Sequence, residues 1–229
     1  MRKIKKVFRL IASILPFNIM RILIYKLGGM EIGKGVRISR KTKITGNSIL
    51  GNNVKIKDYC KIDNSILGDG VSISHNVTLR HVLMGSGVTI EPYTILQGNP
   101  NNGIEIGNDT YISSHSTLES KASIKIGSHV SIGPNLKIVT HTGHLQAVTE
   151  SKIGSPDFLI SKPVKIDNYV YIGVGTIIQM GVTIGSFSIA NAGSIVTKSI
   201  PPYSLVQGAP ARVVAKVIFV DNKPVIVKL

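Results

Sequence analysis

The chain lacks much of what several common protein classes require. A single cysteine among 229 residues excludes a disulfide framework. Tryptophan is absent and aromatic residues make up 5% of the chain. No zinc-finger, helical or RNA-binding-sheet pattern accompanies them, which argues against a nucleic acid partner. No apolar run reaches the roughly 20 residues of a membrane-spanning helix. Acidic residues are also scarce, 12 against 27 Lys and Arg, and the resulting formal charge of +15 predicts attraction to anions such as polyphosphates, acidic glycans or an anionic membrane face. Apolar residues are plentiful: at 43% they support one domain with a substantial core.

What the chain does have is rhythm. From Ile32 to Val196 an aliphatic residue returns about every six positions, and the hexads group in threes. First hexads open at Ile32, Leu50, Leu67, Met84, Ile106, Ile126, Ile166 and Ile184, and seven of the eight have Gly second. Second hexads open at Ile38, Ile56, Ile73, Ile90, Ile112, Ile132, Ile172 and Ala190, and a third completes each coil. Position five is constrained too: Val36, Thr42, Val54, Cys60, Val71, Val77, Val88, Thr94, Thr110, Ser116, Val130, Thr176 and Ser188 are small or β-branched, with Leu136 the exception. This pattern predicts an all-β, three-sided parallel solenoid, with position one pointing a large side chain inward and position five filling the space beside it.

The first 29 residues stand apart. They carry seven Lys or Arg and no acid, with apolar residues at helical spacing on either side of Pro16. The spacing predicts two short basic amphipathic helices over 1–29. Two roles are open to them and are compatible: capping the open end of the prism, and peripheral contact with an anionic bilayer. No small-residue cleavage site marks a signal peptide.

Coil lengths of 18, 17, 17, 22, 20, 40 and 18 residues place all the slack in or after the third hexad. The largest excursion, residues 139–163, adds about 22 residues, and a loop of that length in a compact repeat points to function. It holds His141 and His144. A neutral imidazole there can take a proton from a hydroxyl attacking a thioester, a contribution of roughly 100- to 10,000-fold. His75, His115 and His129 fall at outward corner positions and His81 in a shortened hexad, where they read as surface side chains. No cysteine or acidic cluster at ligand spacing accompanies them, so no metal site is expected. Cys60 reads as a small core residue.

The three-hexad coil with its Ile-Gly openings resembles the hexapeptide-repeat acetyltransferases, in their sugar and polysaccharide O-acetyltransferase branch. The resemblance implies a left-handed parallel β-helix over 30–212 with its extruded loop at 139–163, and beyond it the alternation of apolar and polar residues around Asp221 to Lys223 predicts a hairpin or paired strands at 213–229. Left-handedness comes from the resemblance alone, since parallel crossovers in general favour the right-handed form. The resemblance further implies a histidine general base at the loop. The string TGH ending at His144 resembles the galactoside acetyltransferase version and favours His144, while His141 lies closer to the regular face. Glu150 and Asp157 share that loop as groups that could orient the base.

A second match is the closing stretch KPVKIDNYVYIGVGTIIQMGVTIG followed by NAGSIVTKSIPPYSLVQGAPARVV. By its likeness to relatives that hold acetyl-CoA between the last coils of one subunit and the loop side of another, Gly173 and Ala192 would approach the pantetheine arm. Lys198 and Arg212 would face the phosphates, and Tyr171 stands where many relatives have Trp. A homotrimer and a sugar or polysaccharide acceptor are implied. The reading is an acetyl-CoA-dependent O-acetyltransferase of bacterial surface polysaccharide or its lipid-linked precursor, cytoplasmic or peripheral to the inner membrane. N-acetylation of an amino-sugar nucleotide is the alternative within the class, and a γ-carbonic-anhydrase-like protein using His115, His141 and His144 the alternative outside it.

Overall fold

The computed structural model describes residues 2–143, 149, 159–221 and 223–229. Three β-sheets wind around one column, two of eight strands and one of eleven. The first face runs from Glu31–Ile32 to Thr183–Ile184, the second from Arg37–Ile38 through Ile189–Ala190, and the third from Lys43–Thr45 to Ile195–Val196. Every coil contributes one strand of two or three residues to each face, paired in parallel with the coils above and below. The solenoid has about nine turns.

The hexad openings stack in register. Ile32, Leu50, Leu67 and Met84 pair in succession on the first face, followed by Ile106, Ile126, Ile166 and Ile184. All are buried, so each coil supplies the apolar surface that the next one covers. Position five is buried throughout as well. Most of its hydroxyls are satisfied by backbone: Thr110 Oγ1 donates to the Gly127 carbonyl (2.8 Å), Thr176 Oγ1 to Gly173 (2.8 Å) and Ser188 Oγ to Pro201 (3.0 Å), whereas the buried Ser194 Oγ has no partner among the described residues. Cys60 lies among them, fully buried, its Sγ donating to the Ser74 carbonyl at 3.0 Å. Burial pushes its thiol up to about 11, which leaves it protonated and unreactive at neutral pH.

The insertions leave at one edge. Around the longest coil Ile126 pairs with Ile166, Ile132 with Ile172 and Ile138 with Ile178, an unchanged step of 40 on all three faces. The extra chain is therefore confined between Val139 and Val164, at the edge joining the third face to the next first face.

Two helices close the lower end, α1 (Arg2–Ala12) and α2 (Asn18–Leu27). The lowest coil has no neighbour beneath it, and α2 supplies the missing partners from its side chains. Asn18 Nδ2 donates to the Val36 carbonyl (3.1 Å) and Asn18 Oδ1 accepts from the Ile38 amide (2.8 Å). Arg21 Nε donates to the Ile38 carbonyl (2.8 Å), and the Tyr25 hydroxyl donates to Thr42 (3.0 Å). An otherwise unpaired strand edge is thereby covered. At the upper end Ser204–Gly208 extends the second face in parallel, and Ala211–Val220 and Lys223–Lys228 continue it as an antiparallel ribbon.

Candidate functional site

The site is built where the regular wall stops. Strand Lys137–Val139 ends the third face of the sixth coil and leads to Thr140, which is fully buried. Its Oγ1 accepts from the amides of Lys121 (2.8 Å) and Ala122 (3.0 Å), and its carbonyl accepts from Lys162 N (3.0 Å). Thr140 thus pins both legs of the extruded segment to the prism. Beyond it, His141–Gly143 pairs antiparallel with Leu159–Ser161, His141 opposite Ser161. The loop leaves on a short two-stranded ribbon, and His141 sits at its root.

His141 is half-buried, and its Nδ1 is buried with no hydrogen-bond partner among the described residues. A cleft of about 270 Å³ opens beside it, bounded by Lys137, Val139, Thr142, Ile177, Gln179 and Met180. Its floor is the outward side of the third face, where Val139 and Ile177 are exposed. An apolar floor, a basic lysine and a half-buried imidazole on the wall can hold an acyl chain and move a proton. His144, Glu150 and Asp157 lie outside the described residues.

The positions singled out in the closing segment divide between two edges. Gly173 and Ala192 meet at the edge joining the second and third faces: a Cβ on Gly173 would lie 2.4 Å from the Ala192 amide nitrogen. Packing between coils, independent of any ligand, therefore requires a glycine there. Arg212 shares this edge, opposite Gln207, whose Oε1 accepts from Asn191 Nδ2 at 3.1 Å. Tyr171 lies on the second face, half exposed, between Ser131 and Ile189. Lys198 is exposed on the other edge, the one that carries His141, two coils further up. The third face separates the two groups by the length of a three-residue strand, roughly 10 Å.

Hexad spacing alone did not single out the bare corner above Gly173. Gly175 and Gly193 both adopt positive φ, +69°, and a Cβ on either would meet nothing within 4 Å. The signal is legible in sequence as glycine at hexad position four of two successive coils. A trough of about 570 Å³ runs along the first face, and ion pairs bridge its walls at Lys125–Glu105 (3.1 Å) and Lys165–Asp167 (2.8 Å). It lies away from His141.

The other histidines sit at edges of the prism. His115 stacks on Tyr93 with centroids 5.1 Å apart, and His129 stacks on Tyr169 at 4.9 Å. His115 and His141 flank opposite edges of the third face, so one chain does not bring them together. Among the described residues no three His, Cys, Asp or Glu side chains gather where they could hold a metal ion.

Residues 30–111 match the family described as GlmU-like, C-terminal hexapeptide. The chain is similar to galactoside O-acetyltransferase of Escherichia coli, 39% identical over 114 residues covering 50% of this chain and 54% of that protein. It is also similar to nodulation protein L of Rhizobium meliloti, 36% identical over 110 residues, 48% of this chain and 58% of that one. The chain thus spans about half the length of the curated relatives it matches. Among solved structures, a galactoside acetyltransferase in complex with coenzyme A is 28% identical, with a TM-score of 0.50 over 62% of this chain and 72% of that one. The UDP-N-acetylglucosamine acyltransferase from Campylobacter jejuni shares the fold at 16% identity, TM-score 0.68, over 82% and 71% of the two chains.

Proposed function

We propose that this chain, a hexapeptide-repeat solenoid similar to the acetyltransferases named above, transfers an acetyl group from acetyl-CoA to a sugar hydroxyl of a bacterial surface polysaccharide or its lipid-linked precursor. The observation that carries the reading is His141, a half-buried imidazole lining an apolar-floored cleft at the root of the longest insertion in the repeat. The relative named galactoside O-acetyltransferase and the coenzyme A complex of a similar chain support the acetyl donor and the sugar class.

The residues present fit such a donor. The Gly175–Gly193 corner is a cradle that a Cβ would fill, Gly173 packs directly against the Ala192 backbone beside it, and Arg212 at the same edge and Lys198 beyond the third face offer charge for phosphates. Bound acetyl-CoA supplies a thioester carbonyl open to attack. His141 takes the proton of the acceptor hydroxyl as its oxygen bonds to that carbonyl carbon, and returns it to the sulfur as the carbon–sulfur bond breaks. The products are an acetyl ester and the CoA thiol, and the imidazole ends neutral. Lys137 and Gln179 line the cleft and position the acceptor.

Within one chain the third face lies between His141 and the glycine corner. In the homotrimer we propose, the loop of one copy faces the glycine corner of the next, and the reacting groups meet across that seam. The test is thiol release from acetyl-CoA across a panel of glycans and nucleotide sugars, with His141→Ala and His144→Ala assayed separately. His141→Ala is expected to lower kcat about 100- to 10,000-fold with the fold intact. Full activity in His141→Ala alongside loss in His144→Ala would transfer the role to His144. Loss in neither, or an amino-sugar nucleotide consumed faster than any hydroxyl acceptor, would overturn the proposal.

A further inference from the structure

Helix α2 is amphipathic with its faces reversed. Its inward side is Asn18, Arg21 and Tyr25, committed to the backbone of the lowest coil, with Ile22 packed beside them. Its outward side is Ile19, Met20, Leu23 and Leu27, all exposed, Ile19 at 77%. Helix α1 repeats the arrangement. Ala12 is buried and Arg9 is turned inward to the carbonyls of Gly46 and Gly28, while Val7, Leu10, Ile11 and Ile14 form an exposed i, i+3, i+4, i+7 stripe. Phe17, two-thirds exposed, joins the two stripes. The lower end of the prism therefore presents a continuous apolar platform that the fold itself does not use, larger than the scattered apolar residues normal on a surface.

Charge is concentrated at the same end. Residues 1–61 hold 15 of the 27 Lys and Arg and 2 of the 12 Asp and Glu; the other 168 residues are nearly balanced, 12 against 10. Lys26, Lys34, Arg37, Lys41, Lys55 and Lys57 are exposed on α2 and the two lowest coils, forming a basic collar behind the apolar platform. No acid occurs before Glu31.

We propose that this end of the molecule docks on an anionic lipid bilayer, the apolar stripes of α1 and α2 entering the boundary between headgroups and acyl chains and the basic collar meeting the headgroups. The chemistry fits that occupant. Two short helices lying side by side suit a fluid interface, and no described helix is long and apolar enough to cross it. The excess of positive charge selects anionic lipid. Docking places the prism axis away from the membrane, with His141 five coil spacings above the lowest coil, about 24 Å. The inference does not depend on the acetyl-transfer reading, and its test measures no activity.

The full chain is sedimented with vesicles of equimolar phosphatidylglycerol and phosphatidylcholine, and separately with pure phosphatidylcholine vesicles. At least about tenfold tighter binding to the anionic vesicles is expected, weakening as salt is raised. The variant Ile14→Glu/Phe17→Glu/Ile19→Glu alters only exposed side chains and should lose at least tenfold in binding, with circular dichroism and Tm unchanged. Lys34→Glu/Arg37→Glu/Lys55→Glu should abolish the preference for anionic lipid. Equal or absent binding to both vesicle types would overturn the proposal, as would undiminished binding by the first variant. So would dissociation of a larger particle by that variant with no vesicle binding by the parent chain, which would show that a second copy covers the platform.

Discussion

The edge joining the second and third faces is built in two ways. In the lower six coils its corner position is Lys41, Tyr59, Asn76, Tyr93, His115 and Asn135, all at φ between 59° and 63°. In the seventh and eighth coils the same corner is Gly175 and Gly193, at a φ only a few degrees larger. The backbone is the same; the side chains are not. Below, the corner groups support one another: Lys41 Nζ donates to the Tyr59 hydroxyl at 2.8 Å, and Tyr93 stacks on His115. Those contacts help offset the roughly 1–2 kcal/mol that a non-glycine residue incurs in this left-handed conformation. Above, the edge is left bare. The opposite treatment appears one edge away in the upper coils, where His129, Tyr169, Phe187 and Tyr203 stack at 4.9 to 5.1 Å and Phe219 packs edge-on against Phe187. A repeating column thus turns one corner into wall and another into a landing strip by the choice of residue at a single hexad position.

The two regions can be broken separately. The largest effect on stability belongs to the lower end, where the Cys60 thiol is buried in the second coil and the Tyr25 hydroxyl beneath the first. Burial pushes the Cys60 thiol from 9.0 up to about 11 and the Tyr25 hydroxyl from 10.0 up to about 12. The unfolded chain releases these protons first. Between the unfolded and folded values the native state binds more protons, so stability falls as pH rises, beginning near pH 9 for Cys60 and near pH 10 for Tyr25. Each two-unit displacement corresponds to about 2–3 kcal/mol once complete. Urea denaturation from pH 8 to 11 should show the decline, and Cys60→Ser should remove its earlier part, since serine already fills the equivalent positions Ser116 and Ser188. A flat profile would mean that the lower core admits water.

In the upper coils Gly173→Val should cost about 1–3 kcal/mol, because the new side chain meets Ala192 backbone rather than a movable side chain. Gly193→Ala next to it meets nothing within 4 Å and bears only the conformational cost of positive φ, about 1–2 kcal/mol. Urea midpoints measured side by side check the difference. Equal losses would erase the distinction between a glycine needed for packing and one that keeps a corner open.

Much of this was legible in the sequence, for a physical reason. The repeat asks each coil for one large apolar residue and one small residue per face, with Ala190 and Leu136 the exceptions on the first two faces, and all eight first-hexad and second-hexad openings coincide with strand positions and point inward. The loop edge followed from coil lengths, because parallel pairing admits no slack within a face. Periodicity could not say which side of the N-terminal helices faces the prism. It reports that a face exists, whereas the unpaired carbonyls of Val36, Ile38 and Thr42 decide that Asn18, Arg21 and Tyr25 turn inward. The candidate site was legible as a loop with two histidines, but the cleft is not: Gln179 and Met180 reach it from a coil 40 residues away across the insertion.

The smallest expected effect is the sharpest test of the bare corner. Asn135 sits one coil below Gly175 at the same conformation, so Gly175→Asn installs a side chain that this backbone already accepts. Asparagine tolerates the left-handed region better than other side chains, and the stability cost should stay below about 1 kcal/mol. If the glycines are bare only to relieve strain, the variant behaves as the parent chain in every assay. If they are bare to admit the pantetheine arm, KM for acetyl-CoA rises several-fold while kcat at saturation is retained, because the substitution removes binding that ground and transition states share. A fall in kcat with KM unchanged would place the corner nearer the reacting carbonyl than the proposed seam allows.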